Sequence, residues 1–202
     1  MTSFIDFIII FLVGFGFNLI PFFGPSNLFI ASTAAISIVN PDPATLVIIG
    51  FLIALAAALA KGVYYVVTFF VSKHLSEKSR RRLDAEAVKV KPWAFLLLYL
   101  AAATPIPDEP VVIPLGLMKY NPAKFFLAYF LGKISITIVG AFLGNWTEAQ
   151  FSSWFSQEAM IALSIVLTVI VTVIMFKVDV GKWLDKILKR LPFHKQIRGE
   201  QS

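Results

Sequence analysis

Asp108 and Glu109 are adjacent acids in an otherwise apolar stretch, and Pro105, Pro107 and Pro110 stand within six residues of one another around them. Thr104 precedes the first proline. Two lysines, Lys61 and Lys133, lie in the middle of apolar runs of their own. Such groups, held away from water, can do two kinds of chemistry. Neighbouring carboxylates repel, so one of them can take up and release a proton. Ammonium groups can exchange one anionic partner for another, a carboxylate for a phosphate. Other chemistries are excluded by composition. With no cysteine there is no thiolate nucleophile and no disulfide framework. His74 and His194 stand far apart in basic stretches, so neither a metal site nor a cofactor is expected. The membrane blocks hold no histidine nucleophile and no glycine-rich phosphate loop, which argues against a membrane enzyme such as a lipid phosphatase.

The elements that must position these groups are membrane helices. The chain is 58% hydrophobic and 15% charged over 202 residues, and its near charge-free blocks reach bilayer-spanning length. Of 18 Lys and Arg, seven fall in 73–91 and seven in 177–198. These clusters flank membrane blocks, so the net charge of +6 reads as cytoplasmic loop charge rather than a nucleic-acid surface. Asp6 near the start and the lack of a basic leader make 1–20 part of the mature fold.

Three prolines so close together break a helix. Broken backbone at membrane depth survives only where protein or water covers it, and intramembrane acids there mark a functional site by default. A second break, with Pro21, Gly24 and Pro25, divides 4–39 into arms of about 25 and 21 Å, each shorter than the ~30 Å hydrocarbon core. A hairpin that enters and leaves on one side fits these lengths; a kinked helix or two short tilted spans is the alternative. Asn18, Ser26 and Asn27 flank this tip and need polar partners.

After the turn at 40–43, residues 44–72 form a long span on which Lys61, Tyr65, Thr68 and Ser72 make one stripe, extended by Ala54, Ala57 and Ala58. Residues 73–91 form a solvated basic linker. Residues 93–118 hold the second break. The span 123–144 places Tyr129, Lys133, Thr137, Gly140 and Gly144 on one face. Trp146, Phe151, Trp154 and Phe155 make an interfacial belt over 145–157. A last span covers 159–176, and 177–202 is expected to be a basic amphipathic tail on the cytoplasmic surface.

Both basic clusters belong on the cytoplasmic side. A single crossing by 93–118 would put the tail on the wrong side, whereas a re-entrant hairpin restores agreement. Residues 4–72 and 93–144 then repeat one plan with opposite insertion: hairpin, Asn-Pro turn or its equivalent, span with a lysine. The expected fold is an all-α polytopic membrane protein, an inverted repeat of two opposed re-entrant hairpins plus three transmembrane helices. Its membrane domain is 1–176 and its site lies between the tips.

The run Thr104-Pro105-Ile106-Pro107-Asp108-Glu109-Pro110, then Pro114-Leu115-Gly116-Leu117-Met118 and the Asn121-Pro122 turn, resembles the DedA family, also called the VTT or SNARE-associated family. The Pro21–Pro25 tip and the 60–65 segment resemble patterns of its first half. The resemblance covers most of 1–150, strongest in 102–133. It implies a multi-pass plasma-membrane protein that moves lipids, with a polyprenyl phosphate carrier or phospholipid as cargo. The chain departs from the family pattern in having amide and hydroxyl groups at the first tip and no arginine near the second. The expected function is therefore translocation of an anionic lipid, as flippase or scramblase. Lys61, Lys133, Tyr65, Tyr129 and Thr104 would meet the head group, and Asp108 or Glu109 would exchange protons or hold a lysine. The alternatives are a proton- or ion-coupled exporter of a small soluble molecule and a non-transporting scaffold. The partners expected are membrane lipids, with a homo-oligomer possible and no nucleic acid.

Overall fold

A computed structural model describes residues 3–21 and 24–177, with the side chains of Arg82, Glu86, Thr168, 171–172 and 174–177 excepted. Of the tail expected over 177–202, residues 178–202, His194 among them, lie outside the described residues, as do Phe22 and Phe23. Among the described residues the regular structure is helical, without strands. The helices are α1 (Phe4–Asn18), α2 (Asn27–Ile36), α3 (Pro43–Val71), α4 (Glu77–Val90), α5 (Ala94–Ala102), α6 (Glu109–Leu117), α7 (Pro122–Phe151) and α8 (Gln157–Lys177).

The long helices begin where the sequence supplies both a cap and a pre-set φ. Asp42 accepts a bond from the Thr45 amide at 2.7 Å ahead of Pro43, and Asn121 accepts one from Lys124 at 3.0 Å ahead of Pro122. Hydrogen bonds from Thr45 hold the Asp42 carboxyl below its usual range. With α3 carrying straight on into a 3-10 turn at Ser72–His74, both α3 and α7 are long and apolar enough to cross a membrane. Their outward faces are apolar as well: Phe51, Val63, Val66, Leu131, Val139 and Leu143 are exposed. Soluble monomers do not carry apolar surface on this scale.

Two features differ from expectation. Residues 77–90 of the basic linker form α4, capped by Ser76 on the Ser79 amide. Ala87 is buried and Val90 packs on the core, so one apolar edge ties this helix down. The span expected over 123–144 continues as helix through the Asn145-Trp146-Thr147 triplet to Phe151. Nothing in that triplet stops a helix, and the Thr147 hydroxyl bonds back to the Leu143 carbonyl instead of opening the turn.

The packing has an exchanged plan. α1 lies along α3, and α5 lies along α7; α2 crosses onto α7, and α6 crosses onto α3. α3 and α7 run antiparallel, since Thr137 bonds to the Gly50 carbonyl while Tyr65 packs on Phe125. α6 runs parallel to α3, because Glu109 meets Lys61 and Gly116 meets Thr68. α2 likewise runs parallel to α7, with Leu28 at Gly140 and Ser32 at Gly144. These seams are close: a Cβ at Gly144 would lie 2.3 Å from the Ser32 carbonyl oxygen. Glycine is required there because backbone, not a movable side chain, fills the space. α8 joins through α2, by Thr33 to Ser164 at 2.6 Å and Gln157 to the Ile36 carbonyl at 2.7 Å.

Candidate functional site

The second break ends where α6 begins, and Asp108 is its N-cap residue. Its backbone carbonyl takes the Val111 and Val112 amides, and Pro110 in the first turn removes one donor that would otherwise need a partner. The Asp108 side chain does not cap its own helix. It turns instead into the space between α3 and α7, which is where the two lysine-bearing stripes converge.

There four charges close on one another. Lys61 Nζ stands 2.5 Å from Glu109 Oε1 and 3.3 Å from Asp108 Oδ1. Lys133 Nζ stands 2.8 Å from Asp108 Oδ2. The Tyr129 hydroxyl donates to the same Oδ2 at 2.6 Å. None of the four charged residues is more than 4% exposed, and Tyr129 is fully buried. Two aromatic rings back the ammonium groups, Tyr64 at 4.8 Å from Lys61 and Tyr129 at 5.1 Å from Lys133. The set is formally neutral, which is the condition under which charges survive in such a place. One acceptor is left over: Asp108 Oδ1 is buried and receives no hydrogen bond, since Lys61 approaches it without bond geometry.

Rigid neighbours fix the lysines. Thr137, fully buried, donates to the Gly50 carbonyl at 2.7 Å and lies 2.8 Å from the Lys133 carbonyl, pinning α7 to α3 one turn beyond Lys133. Of the residues singled out from sequence, Asp108, Glu109, Lys61, Lys133 and Tyr129 meet in this cluster. Tyr65 and Thr104 do not join it. Tyr65 donates to the Tyr120 carbonyl, tying α3 to the α6–α7 turn. Thr104 bonds back to the Ala101 carbonyl at 2.9 Å and finishes α5. Tyr64 was not singled out, although it stands three residues after Lys61 on the same helix. Besides backing Lys61, it donates to the Leu19 carbonyl at 2.6 Å and so links the cluster to the end of α1.

The first break is built differently. Pro21, Gly24 and Pro25 separate α1 from α2, and a Cβ on Gly24 would lie 2.6 Å from the Phe17 carbonyl oxygen. Asn18 and Asn27, both buried, exchange two amide bonds of 2.8 and 2.9 Å across it. The partners that these residues need are thus each other. Beside this break, an open apolar groove of about 890 Å³ lies between α1, α2 and α8, running from Asp6 and Ser37 to Phe17 and Pro25.

Among the described residues, no cluster of His, Asp and Glu with metal-holding geometry occurs. No family model, curated protein or solved structure matches the chain.

Proposed function

We propose that the protein spans the membrane several times and translocates an anionic lipid, with Lys61 and Lys133 as the groups that receive the phosphate. The observation that carries this reading is the closed, neutral set of two lysines and two carboxylates at the broken start of α6. A cation held by a carboxylate is ready to be handed to a phosphate once the carboxylate is protonated or displaced, and the exchange keeps the site neutral. Asp108 faces both ammonium groups, Lys61 through Oδ1 and Lys133 through Oδ2, so neutralising this one carboxyl loosens the hold on both.

The element lengths support re-entrance. α1, α2, α5 and α6 have 15, 10, 9 and 9 residues. At about 1.5 Å per residue none reaches across a ~30 Å core. With α3, α7 and α8 as the crossing helices, both breaks fall at depth and the two halves enter from opposite faces. Both basic clusters and the tail are then cytoplasmic. The DedA-like motifs of 104–122 lead to the same proposal, with a polyprenyl phosphate or a phospholipid as cargo.

The apolar groove favours a lipid over a soluble substrate. It is open, lined mostly by apolar side chains and ends at the first break, where Tyr64 bonds to the Leu19 carbonyl. A soluble anion would call for a sealed polar cavity. The test is reconstitution into liposomes with labelled polyprenyl phosphate, labelled phospholipid or a soluble organic anion, with and without a pH gradient. Lipid transport that falls in Asp108→Asn and Lys61→Ala proteins is expected. Equal transport in all variants, or transport of the soluble anion alone, overturns the reading.

A further inference from the structure

The far end of the α3–α6 seam carries a second cationic feature that the central cluster does not use. Lys73 Nζ stands 5.7 Å from the centroid of the Phe69 ring and 4.9 Å from that of Phe70. Lys119 Nζ stands 5.6 Å from the same Phe69 ring. The two lysines come from different elements, the turn after α3 and the turn after α6. Among the described residues no carboxylate makes an ion pair with either one, and both are exposed. Two like charges within about 6 Å of one ring centroid repel, and an anion bound beside them lowers that cost.

The backbone at Lys119 adds an independent observation. α6 ends with the Tyr120 amide on the Leu115 carbonyl and the Lys119 amide on the Gly116 carbonyl. This is a Schellman turn, whose left-handed residue is normally glycine. Lys119 occupies that position with φ 50°. A side chain is kept where the backbone prefers none, and that side chain is the one brought to Phe69.

We infer that Lys73 and Lys119 form a docking site for the phosphate of an anionic lipid head group at the cytoplasmic membrane surface. The inference rests on the membrane-spanning reading above. Phe69 and Phe70 lie in the acyl boundary, as aromatic residues do at a membrane face, and hold the two ammonium groups at head-group level. Along α3, Phe69 lies eight residues beyond Lys61, about 12 Å. A head group docked there stands roughly one leaflet from the central lysines, on the seam that leads to them.

The test uses the full chain in neutral maltoside micelles and isothermal titration with dihexanoyl phosphatidic acid, dihexanoyl phosphatidylcholine and inorganic phosphate. Saturable binding of the phosphatidic acid is expected, weakening with salt and absent for the phosphatidylcholine. Lys73→Gln and Lys119→Gln should each weaken it about fivefold, the share of one lysine at a charged surface. Lys119→Gly separates ligand binding from folding: affinity should fall by the same factor while the thermal midpoint holds or rises. Affinity within twofold of the parent in these variants means lysines that only reach for the interface, and overturns the site. Inorganic phosphate binding as tightly as phosphatidic acid overturns the lipid source. A parent chain that moves no lipid in the liposome assay yet binds phosphatidic acid counts against the translocation reading and leaves this site standing.

Discussion

Replacing Asp108 by asparagine preserves the shape of the side chain and removes one negative charge from a buried set of four. The parent arrangement sets two lysines against two carboxylates, with Asp108 between Lys133 at 2.8 Å and Lys61 at 3.3 Å. After the change Lys61 retains Glu109, whereas Lys133 loses the carboxylate that held it at 2.8 Å. Tyr129 can still donate to the asparagine carbonyl, so the loss is one of charge more than of hydrogen bonding. An uncompensated buried charge costs about 3–5 kcal/mol. For a chain of this size that lowers the thermal midpoint by roughly 6–20 °C. The assay is thermal unfolding in detergent, followed by size-exclusion chromatography with tryptophan fluorescence. The second variant, Asp108→Asn with Lys133→Met, restores neutrality by leaving Lys61 and Glu109 as a pair. It should recover at least half of the lost midpoint although it carries one more substitution. Two results would refute the reasoning: an Asp108→Asn midpoint equal to the parent's, or a double variant at the sum of the single losses.

Two further substitutions probe the frame around the cluster. Gly144→Ala pushes a Cβ against the Ser32 carbonyl and should cost about 1–3 kcal/mol. Gly16→Ala meets open space and should be neutral or stabilising by up to about 1 kcal/mol. Midpoints in the opposite order would refute the close α2–α7 seam. At the first break, Asn18→Ala strands the Asn27 amide and should cost about 1–3 kcal/mol, while Asn18→Ala with Asn27→Ala should cost less than the sum of the single losses. Additive losses would show that the two amides act separately.

Residues with strong local rules were legible in the sequence. Proline is disfavoured inside a helix and at home in its first turn, so Pro43 and Pro122 started the long helices and proline clusters followed the ends of α1 and α5, with Pro114 inside α6 the exception. Helical spacing put Lys61 with Tyr65 and Ser72, and Lys133 with Tyr129 and Thr137, on buried faces. Pairing was not legible, because it depends on how three helices, α3, α6 and α7, cross. Spacing alone cannot tell that Asp108 meets both lysines while Glu109 turns to Lys61. Nor can it tell that Tyr65 is drawn to the carbonyl of Tyr120 while its neighbour Tyr64 backs the ammonium group. α4 was hidden by its charge: one buried alanine is a faint stripe among arginines and lysines.

The two halves of the exchanged packing differ most where they correspond. Lys61 lies eighteen residues beyond Pro43, and Gly140 lies eighteen residues beyond Pro122. Lys61 meets the first turn of α6 through Glu109, and Gly140 meets the first turn of α2 through Leu28. One position of the plan therefore carries an ammonium group in one half and no side chain in the other. The residues facing it differ in step: carboxylates stand at the start of α6, and at the start of α2 an amide is satisfied by another amide. An amide pair responds to neither pH nor the arrival of an anion, whereas an ion pair responds to both. A charged site at both breaks would require four lysines and four acids to be desolvated in one small domain, each pair adding its own penalty. Placing all the charge at one break confines that penalty to a single site. The other break is then free to serve as fixed framework, and in the proposed translocation cycle the break that changes partners is the one that holds Asp108.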